Sequence, residues 1–183
     1  VETQYWVGED ETLRRLGRRR PQCQSGLLGF RRVARNTDER TAIASILPWG
    51  AASYGWILTV GPPAKQLLLL LGAYNSFVFD YLLRNALSQP SVPQGVFAQV
   101  ACPAPAALSS IEDWLLPRLL ELTYTATDLT PFARDCGYEG PPFRWDEERR
   151  FQLRCELDAA FFHLYGVGSD EAEYIMDTFP IVK

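Results

Sequence analysis

The sequence has almost no lysine or histidine. Lys65 and Lys183 are the only lysines among 18 cationic residues, and His163 is the only histidine. The four cysteines are widely spaced and form no Cys-x-x-Cys pair. With one histidine and no paired cysteines, the sequence predicts no zinc site, and a reduced protein fits the cysteines better than a disulfide framework.

Catalytic and cofactor motifs are also missing. The sequence contains no GxGxxG, P-loop, HExxH or GxSxG. His163 lies in an apolar helical pattern, with no acid or nucleophile placed beside it by spacing, so we predict a structural role for it. The position of Asp146, Glu147 and Glu148 at the start of a predicted helix explains that acidic cluster. We therefore expect no catalytic residue and no cofactor in this chain itself.

No apolar run reaches the roughly 20 residues that a membrane span needs. Apolar residues nevertheless make up 47% of the 183 residues, enough for one domain with a real core. We expect a cytoplasmic protein with no membrane partner. Because the chain opens at Val1 without methionine, we also expect it to be part of a longer protein.

The segment Lys65–Gln89 organises the rest of the chain. Five consecutive leucines, Leu67 to Leu71, cannot leave one helix face in water, so this part must be covered all round. From Asn75-Ser76 onward the pattern becomes amphipathic. The segment predicts a central buried helix whose far end carries polar residues to the surface; a plain core helix with a solvated tip is the alternative.

The segments before and after this helix differ in character. Residues 27–36 and 49–60 have strand patterns, and 37–48 is predicted to be extended. Four prolines exclude a helix from residues 90–105 and allow one short strand. Together with the helical segments that follow, these patterns predict an α+β fold, with a mixed α/β part at residues 1–105 and a helical part at 106–183, packed as one unit.

The helical part has four predicted helices. Ser109 with Glu112 indicates a capping box at the start of the first. Thr130-Pro131 opens a short helix that ends at Gly137. The longest runs from Asp146 to Gly166 and carries two apolar stripes, one including Leu157 and the other including Phe151 and Cys155, so much of it should be covered. Ser169 is predicted to cap the last helix.

The net charge of −4 hides an asymmetry. Residues 1–104 carry eleven cations against seven acids, a net charge of +4, and residues 105–183 carry seven against fifteen, a net charge of −8. A basic front part is compatible with a nucleic-acid surface, and arginine forms bidentate bonds to phosphate or guanine. The cluster LRRLGRRR at 13–20 fits a phosphate-contacting loop, or an ordinary solvated loop or helix end.

Three segments carry a resemblance to a known family. Glu121–Lys183 resembles the C-terminal region of large prokaryotic N6-adenine DNA methyltransferases, which belong to single-chain restriction–modification enzymes of type IIG and to phage-defence systems. Phe30–Pro48 and Asn75–Phe97 resemble the target-recognition part of the same enzymes. The resemblance covers nearly all of the chain after about Leu27.

The resemblance implies a recognition module separated from its chemistry. In the family, an upstream methyltransferase domain carries a glycine-containing cofactor motif and an Asn-Pro-Pro-Tyr motif that holds the flipped adenine; neither is present here. This chain would bind double-stranded DNA, while the methyltransferase domain of the parent chain transfers a methyl group from S-adenosylmethionine.

Candidate DNA contacts follow from side-chain chemistry. Arginine suits phosphate or guanine, and asparagine and glutamine can pair with adenine. We predict ten DNA-contacting residues: Arg31, Arg32, Arg35, Thr37, Arg40, Thr41, Asn75, Arg84, Gln89 and Gln94. For each, an ordinary cap, turn or surface role is the alternative. A protein-interaction module that docks another subunit of a defence or restriction complex is the rival function.

Overall fold

The computed structural model describes residues 8–16 and 25–179. Within these ranges the chain forms nine α-helices, one short 3-10 helix (Thr127–Leu129) and a single three-stranded antiparallel sheet, so the predicted α+β class is confirmed. Of the sequence predictions, Tyr5 and Trp6 of the first segment and residues 17–20 of the basic cluster lie outside the described residues.

The sheet is formed by β1 (Gly26–Arg31), β2 (Ala44–Pro48) and β3 (Trp56–Thr59), in the order β2-β1-β3. The predicted strands at 27–36 and 49–60 are confirmed in shortened form, and the segment predicted to be extended ends in β2. In the central strand, Phe30 faces Ala44 on one side and Ile57 on the other. Residues 26–30 are buried, as expected for a strand with neighbours on both edges.

The predicted single central helix is wrong in one respect: it is two helices. These are α2 (Ala64–Asn75) and α3 (Phe77–Ala86), bent by 64° at Ser76. Ser76 adopts an extended backbone conformation, and its hydroxyl oxygen accepts a hydrogen bond from the Phe79 N–H, which caps α3. The hydroxyl also donates to the carbonyl of Ala73 in α2. The break falls where the sequence pattern changes from apolar to amphipathic.

The remaining helices surround this pair. They are α1 (Glu9–Leu16), α4 (Gln94–Phe97), α5 (Pro105–Ser110), α6 (Glu112–Thr123), α7 (Thr130–Asp135), α8 (Glu147–Leu164) and α9 (Ser169–Asp177). Among the described helices, none alone is both long and apolar enough to cross a membrane, although α2 and α3 taken together pass by length and composition.

Several local predictions fail for identifiable reasons. The short strand predicted around Val96 and Phe97 is the one-turn helix α4, because Pro93 begins a helix as readily as it interrupts a strand. Ser109 lies inside α5 and does not cap α6, whose N-cap is Ile111. Residues 1–12, expected to be an edge strand or a lead-in from an upstream domain, are helical from Glu9. Ser169 is the first residue of α9, whose N-cap is Gly168.

The predictions for α7 and α8 are largely confirmed. α7 begins at Thr130 with proline in its first turn. α8 is capped by Asp146, whose carboxylate accepts from the Arg149 N–H at 2.9 Å. The second apolar stripe on α8, predicted as Phe151, Cys155, Phe162 and Tyr165, is wrong for its first half, since Phe151 is 56% exposed and Cys155 is also exposed. Phe162 and Tyr165 are partly buried and pack against the hydrophobic clusters, so the stripe is covered only toward the end of the helix.

One hydrophobic core contains residues from both predicted parts. Phe30 and Leu68 from the front pack in the same cluster as Leu119 and Phe161 from the helical part. A smaller cluster of Phe77, Ile175 and Phe179 joins α9 to α3. The core thus fixes the sheet, the bent helix pair and the long helix α8 relative to one another.

Candidate nucleic-acid interface

Three segments converge at the carboxyl end of β1. The N–H of Arg32 donates to the carbonyl of Gly55, and its carbonyl accepts from the N–H of Val92, both at 2.8 Å. Residues 32–37, 53–55 and 87–92 therefore form one continuous surface, which we call the loop end.

The loop end exposes a cation, an aromatic ring and further polar groups. The guanidinium of Arg32 lies 4.0 Å above the ring of Tyr54, which is 77% exposed. Arg35, Thr37 and Gln89 are also exposed. A guanidinium that stacks on an aromatic face directs its N–H groups outward in its own plane, where they can donate to an anion.

Internal hydrogen bonds hold the segment 32–37 of the loop end in place. The carboxylate of Asp38 accepts from the N–H of Arg35 at 3.0 Å, and the hydroxyl of Thr41 donates to the carbonyl of Arg35 at 2.8 Å. The backbone of Arg35 is therefore fixed while its side chain remains in solvent, an arrangement that lowers the entropy lost on binding.

A buried carboxylate on α3 also holds the residues that follow Arg35 in place. Asp80 on α3 is fully buried and accepts from Nε of Arg40 at 2.8 Å and Nε of Arg84 at 3.2 Å. It also accepts from the N–H of Thr41 at 3.1 Å. We call Asp80, Arg40, Arg84 and Thr41 the Asp80 network.

Arg84 extends this network to the backbone of the segment. It donates to the carbonyls of Asn36, Asp38 and Glu39 at 3.1, 2.7 and 2.7 Å, and its guanidinium lies 4.2 Å from the ring centre of Phe179. Because only 8% of its side chain is exposed, Arg84 is not available to a ligand.

The side chain of Asn75 forms hydrogen bonds with the backbone at the open edge of β2. Its Oδ1 accepts from the N–H of Ala44 at 2.9 Å, and its Nδ2 donates to the carbonyl of Ala44 at 3.0 Å. The side-chain amide thus takes the place of a neighbouring strand. Both of its hydrogen-bonding groups are used inside the protein.

The structure divides the ten predicted DNA contacts into two groups and an outlier. Four lie at the loop end with their side chains at the surface: Arg32, Arg35, Thr37 and Gln89. Five are engaged in internal contacts: Arg40, Thr41, Arg84, Asn75 and, through Asp38 at 3.6 Å, Arg31. Gln94 is exposed on α4.

Sequence patterns do not identify two residues of this region. Tyr54 lies in a segment with a strand pattern, residues 49–60, and Asp80 lies in the amphipathic end of the predicted central helix. The spacing of Asp80 and Arg84 at i, i+4 was a visible signal for an ion pair. The sequence contained no comparable signal that Arg40 would join it. His163 is exposed on α8 and not packed in the core.

A cavity of about 780 Å³ lies between β2 and helices α2, α6 and α8. Its floor is apolar and includes Leu71, Leu119, Leu157 and Phe161, whereas its rim is charged and includes Arg31, Asp38, Glu39, Arg40, Arg150, Arg154 and Asp158. We call it the arginine groove. The residues before β2 separate it from the loop end.

Asp158 is the most perturbed acid of the groove. It accepts from the N–H of Phe77 at 2.9 Å and so satisfies the first turn of α3. Burial raises the pKa of Asp158 to about 6, against the opposing effects of Arg40 and of this hydrogen bond. The native state therefore retains a proton that the unfolded chain releases at lower pH.

We expect Asp158→Asn to remove a pH dependence of stability. In the native protein, the contribution of Asp158 is fully present below pH 3.8 and is lost as the pH rises through about 6. The difference in unfolding free energy between the variant and the native protein should grow across that window by up to about 3 kcal/mol. Urea unfolding at a series of pH values measures it. The exposed Asp113→Asn is the control, and parallel pH profiles for the native protein and Asp158→Asn would contradict the assignment.

Among the described residues, no group of three or more histidine, cysteine, aspartate or glutamate side chains could hold a metal ion. Comparison of this chain with family models, with curated proteins and with solved structures found no match.

Proposed function

We propose that this chain is the DNA target-recognition domain of a prokaryotic N6-adenine DNA methyltransferase, acting in the cytoplasm. The loop end would bind double-stranded DNA and position it. An upstream domain of the parent chain would then transfer the methyl group from S-adenosylmethionine.

The observation that carries this proposal is the pairing of Arg32 with Tyr54 on a surface that also exposes Arg35. Three segments anchored to one another by backbone hydrogen bonds hold these groups. Loops positioned by a rigid scaffold are the usual carriers of binding residues. Their chemistry fits contacts to the phosphate backbone, which fix register and orientation but not sequence.

The charge of the helical part also supports DNA binding at the loop end. Two of its arginines engage acids of that part: Arg149 pairs with Glu121 at 3.0 Å, and Arg118 pairs with Glu156 at 2.7 Å. With a net charge of −8 in residues 105–183, this part as a whole would repel the phosphate backbone of a duplex. DNA would therefore approach the front part, with the helical part as scaffold.

A salt titration tests the proposal. We expect duplex binding, measured by fluorescence anisotropy, to weaken steeply with salt. Arg32→Gln and Arg35→Gln should each weaken binding to all sequences and reduce the slope of log K against log salt by about 1.

The matched control is Arg134→Gln. Arg134 is exposed on α7, at the other end of β1, where Ser25 donates to Asp135 at 2.5 Å. This variant should bind duplex as the native protein does. Equal losses from all three variants would point to nonspecific charge and contradict the proposed surface.

The rival function is a protein-interaction module. The exposed Val33 at 61% and Tyr54 at 77% favour it, since aromatic residues and arginine are enriched at protein interfaces. Absence of duplex binding even at low salt would support this alternative. Incubation with labelled S-adenosylmethionine and DNA should give no methyl transfer by this chain alone, and any transfer would contradict the assignment of the chemistry to another domain.

A further inference from the structure

The arginine groove contains guanidinium groups that the described protein does not fully compensate. Arg150 is half-buried and has one hydrogen bond within the described residues, from Nη1 to the carbonyl of Leu122 at 3.1 Å. Arg154 follows it by one helical turn on α8 and lines the same groove; its Nη2 is 3.6 Å from the exposed carboxylate of Glu147. Burial and the neighbouring positive charge of Arg154 both lower the pKa of Arg150.

Arg31 adds a second under-compensated group from the opposite wall. Its Nε is buried and finds no hydrogen-bond partner among the described residues. Its Nη2 is 3.6 Å from Asp38, which is longer than a good charged hydrogen bond. Buried polar groups without partners are rare and destabilising, so a cavity lined by Arg31 is suited to a ligand that supplies an acceptor.

Acids of the rim are in part already engaged. Asp38 accepts from the backbone of Arg35, and Asp158 accepts from the backbone of Phe77. Of the four arginines that line the groove, Arg40 pairs with Asp80 at 2.8 Å and Arg154 has only an exposed acid at 3.6 Å, and no carboxylate among the described residues forms an ion pair with Arg150. An anion bound between Arg150 and Arg154 would also relieve the repulsion of these like charges.

The groove also offers a surface for a planar group. Trp145 lines it and is 60% exposed, with Arg150 stacked 3.7 Å from its ring centre. One face of the indole is thus covered by the guanidinium, and its exposed surface can accept a stacked base. The volume of about 780 Å³ falls within the range of small-molecule sites.

We propose that the arginine groove binds a phosphate ester of mononucleotide size, with the phosphate on Arg150 and Arg154 and the base against Trp145. A free nucleotide and a nucleotide unit of DNA share this chemistry. The site is separate from the loop end and does not depend on the proposed function of that surface.

Isothermal titration calorimetry with adenosine monophosphate, inorganic phosphate and adenosine tests the proposal. We expect adenosine monophosphate to bind more tightly than either of its parts. Arg150→Gln and Arg154→Gln should each weaken it at least about tenfold, the loss of one charged hydrogen bond. Because the side chain of Arg154 is 58% exposed, its variant should fold normally even if Arg150→Gln does not.

Arg118→Gln is the matched control. Arg118 stacks on Trp114 at 3.8 Å, much as Arg150 stacks on Trp145, but it does not line the groove. Its loss should leave nucleotide binding unchanged. Trp145→Ala should weaken the binding of adenosine monophosphate and leave the binding of inorganic phosphate unchanged. No binding of either anion, or an equal loss from Arg118→Gln, would overturn the proposal.

A competition experiment identifies the source of the phosphate ester. If duplex DNA displaces adenosine monophosphate from the native protein, the groove takes a nucleotide unit of DNA. If both bind together, the ligand is a free nucleotide. Either result supports the site, and the loop-end variants Arg32→Gln and Arg35→Gln should leave nucleotide binding unchanged in both cases.

Discussion

Replacing Asp80 with alanine is expected to lower the free energy of unfolding by about 3–5 kcal/mol. The carboxylate is fully buried and is the only acid that contacts Arg84 among the described residues. Removing it would leave Arg84 as a buried charge without compensation, and the backbone N–H of Thr41 without an acceptor. Chemical denaturation followed by circular dichroism measures the loss.

Two further variants make this prediction specific. Asp38→Ala removes an acid whose side chain is 40% exposed and should change stability by less than about 1 kcal/mol. The double variant Asp80→Leu with Arg84→Met replaces the buried pair by apolar groups of similar size. It should recover part of the loss, because it leaves no unpaired charge at position 84, whereas the Thr41 N–H and the carbonyls bound by Arg84 still lose their partners. A double variant as unstable as Asp80→Ala would contradict this explanation.

The Asp80 network also links stability to the proposed interface. Arg84 binds three carbonyls of the segment that carries Arg35, so Asp80→Ala should loosen that part of the loop end as well. Hydrogen exchange at residues 35–39 is expected to rise more than at β1.

Asn75→Ala should destabilise the protein by about 2 kcal/mol. The variant removes both partners of Ala44 and leaves an N–H and a carbonyl at the edge of β2, next to the arginine groove. Water entering from the groove can satisfy part of this loss, which keeps the expected value below the full cost of two buried groups.

The matched control for this variant is Asn85→Ala. Asn85 is exposed on α3 and bonds one turn back to the carbonyl of Tyr81, so its loss should change stability by less than about 0.5 kcal/mol. The comparison also separates the two roles considered for Asn75. If it contacts DNA bases, Asn75→Ala should weaken duplex binding while stability stays the same, and that result would contradict the role in the sheet.

Sequence patterns were most successful where the signal is local. The start of α8 near Asp146 and the proline in the first turn of α7 depend on neighbouring residues, and the structure confirms both. The wrong secondary-structure predictions occurred where a residue type is compatible with both a strand and a helix. Pro93 fits both a strand end and a helix start, and only packing of Phe97 on Phe30, at 4.2 Å between ring centres, selects the helix.

Composition, periodicity and charge are properties of the chain, so the α+β class, the strongly buried leucine segment and the division into a basic front part and an acidic helical part could be predicted from them. Which arginines face solvent depends on tertiary packing. Arg32 and Arg40 have the same chemistry in the same segment, but one lies over an exposed ring and the other pairs with a buried acid 40 residues away. That choice depends on which helix packs beneath the segment, and sequence spacing does not contain it.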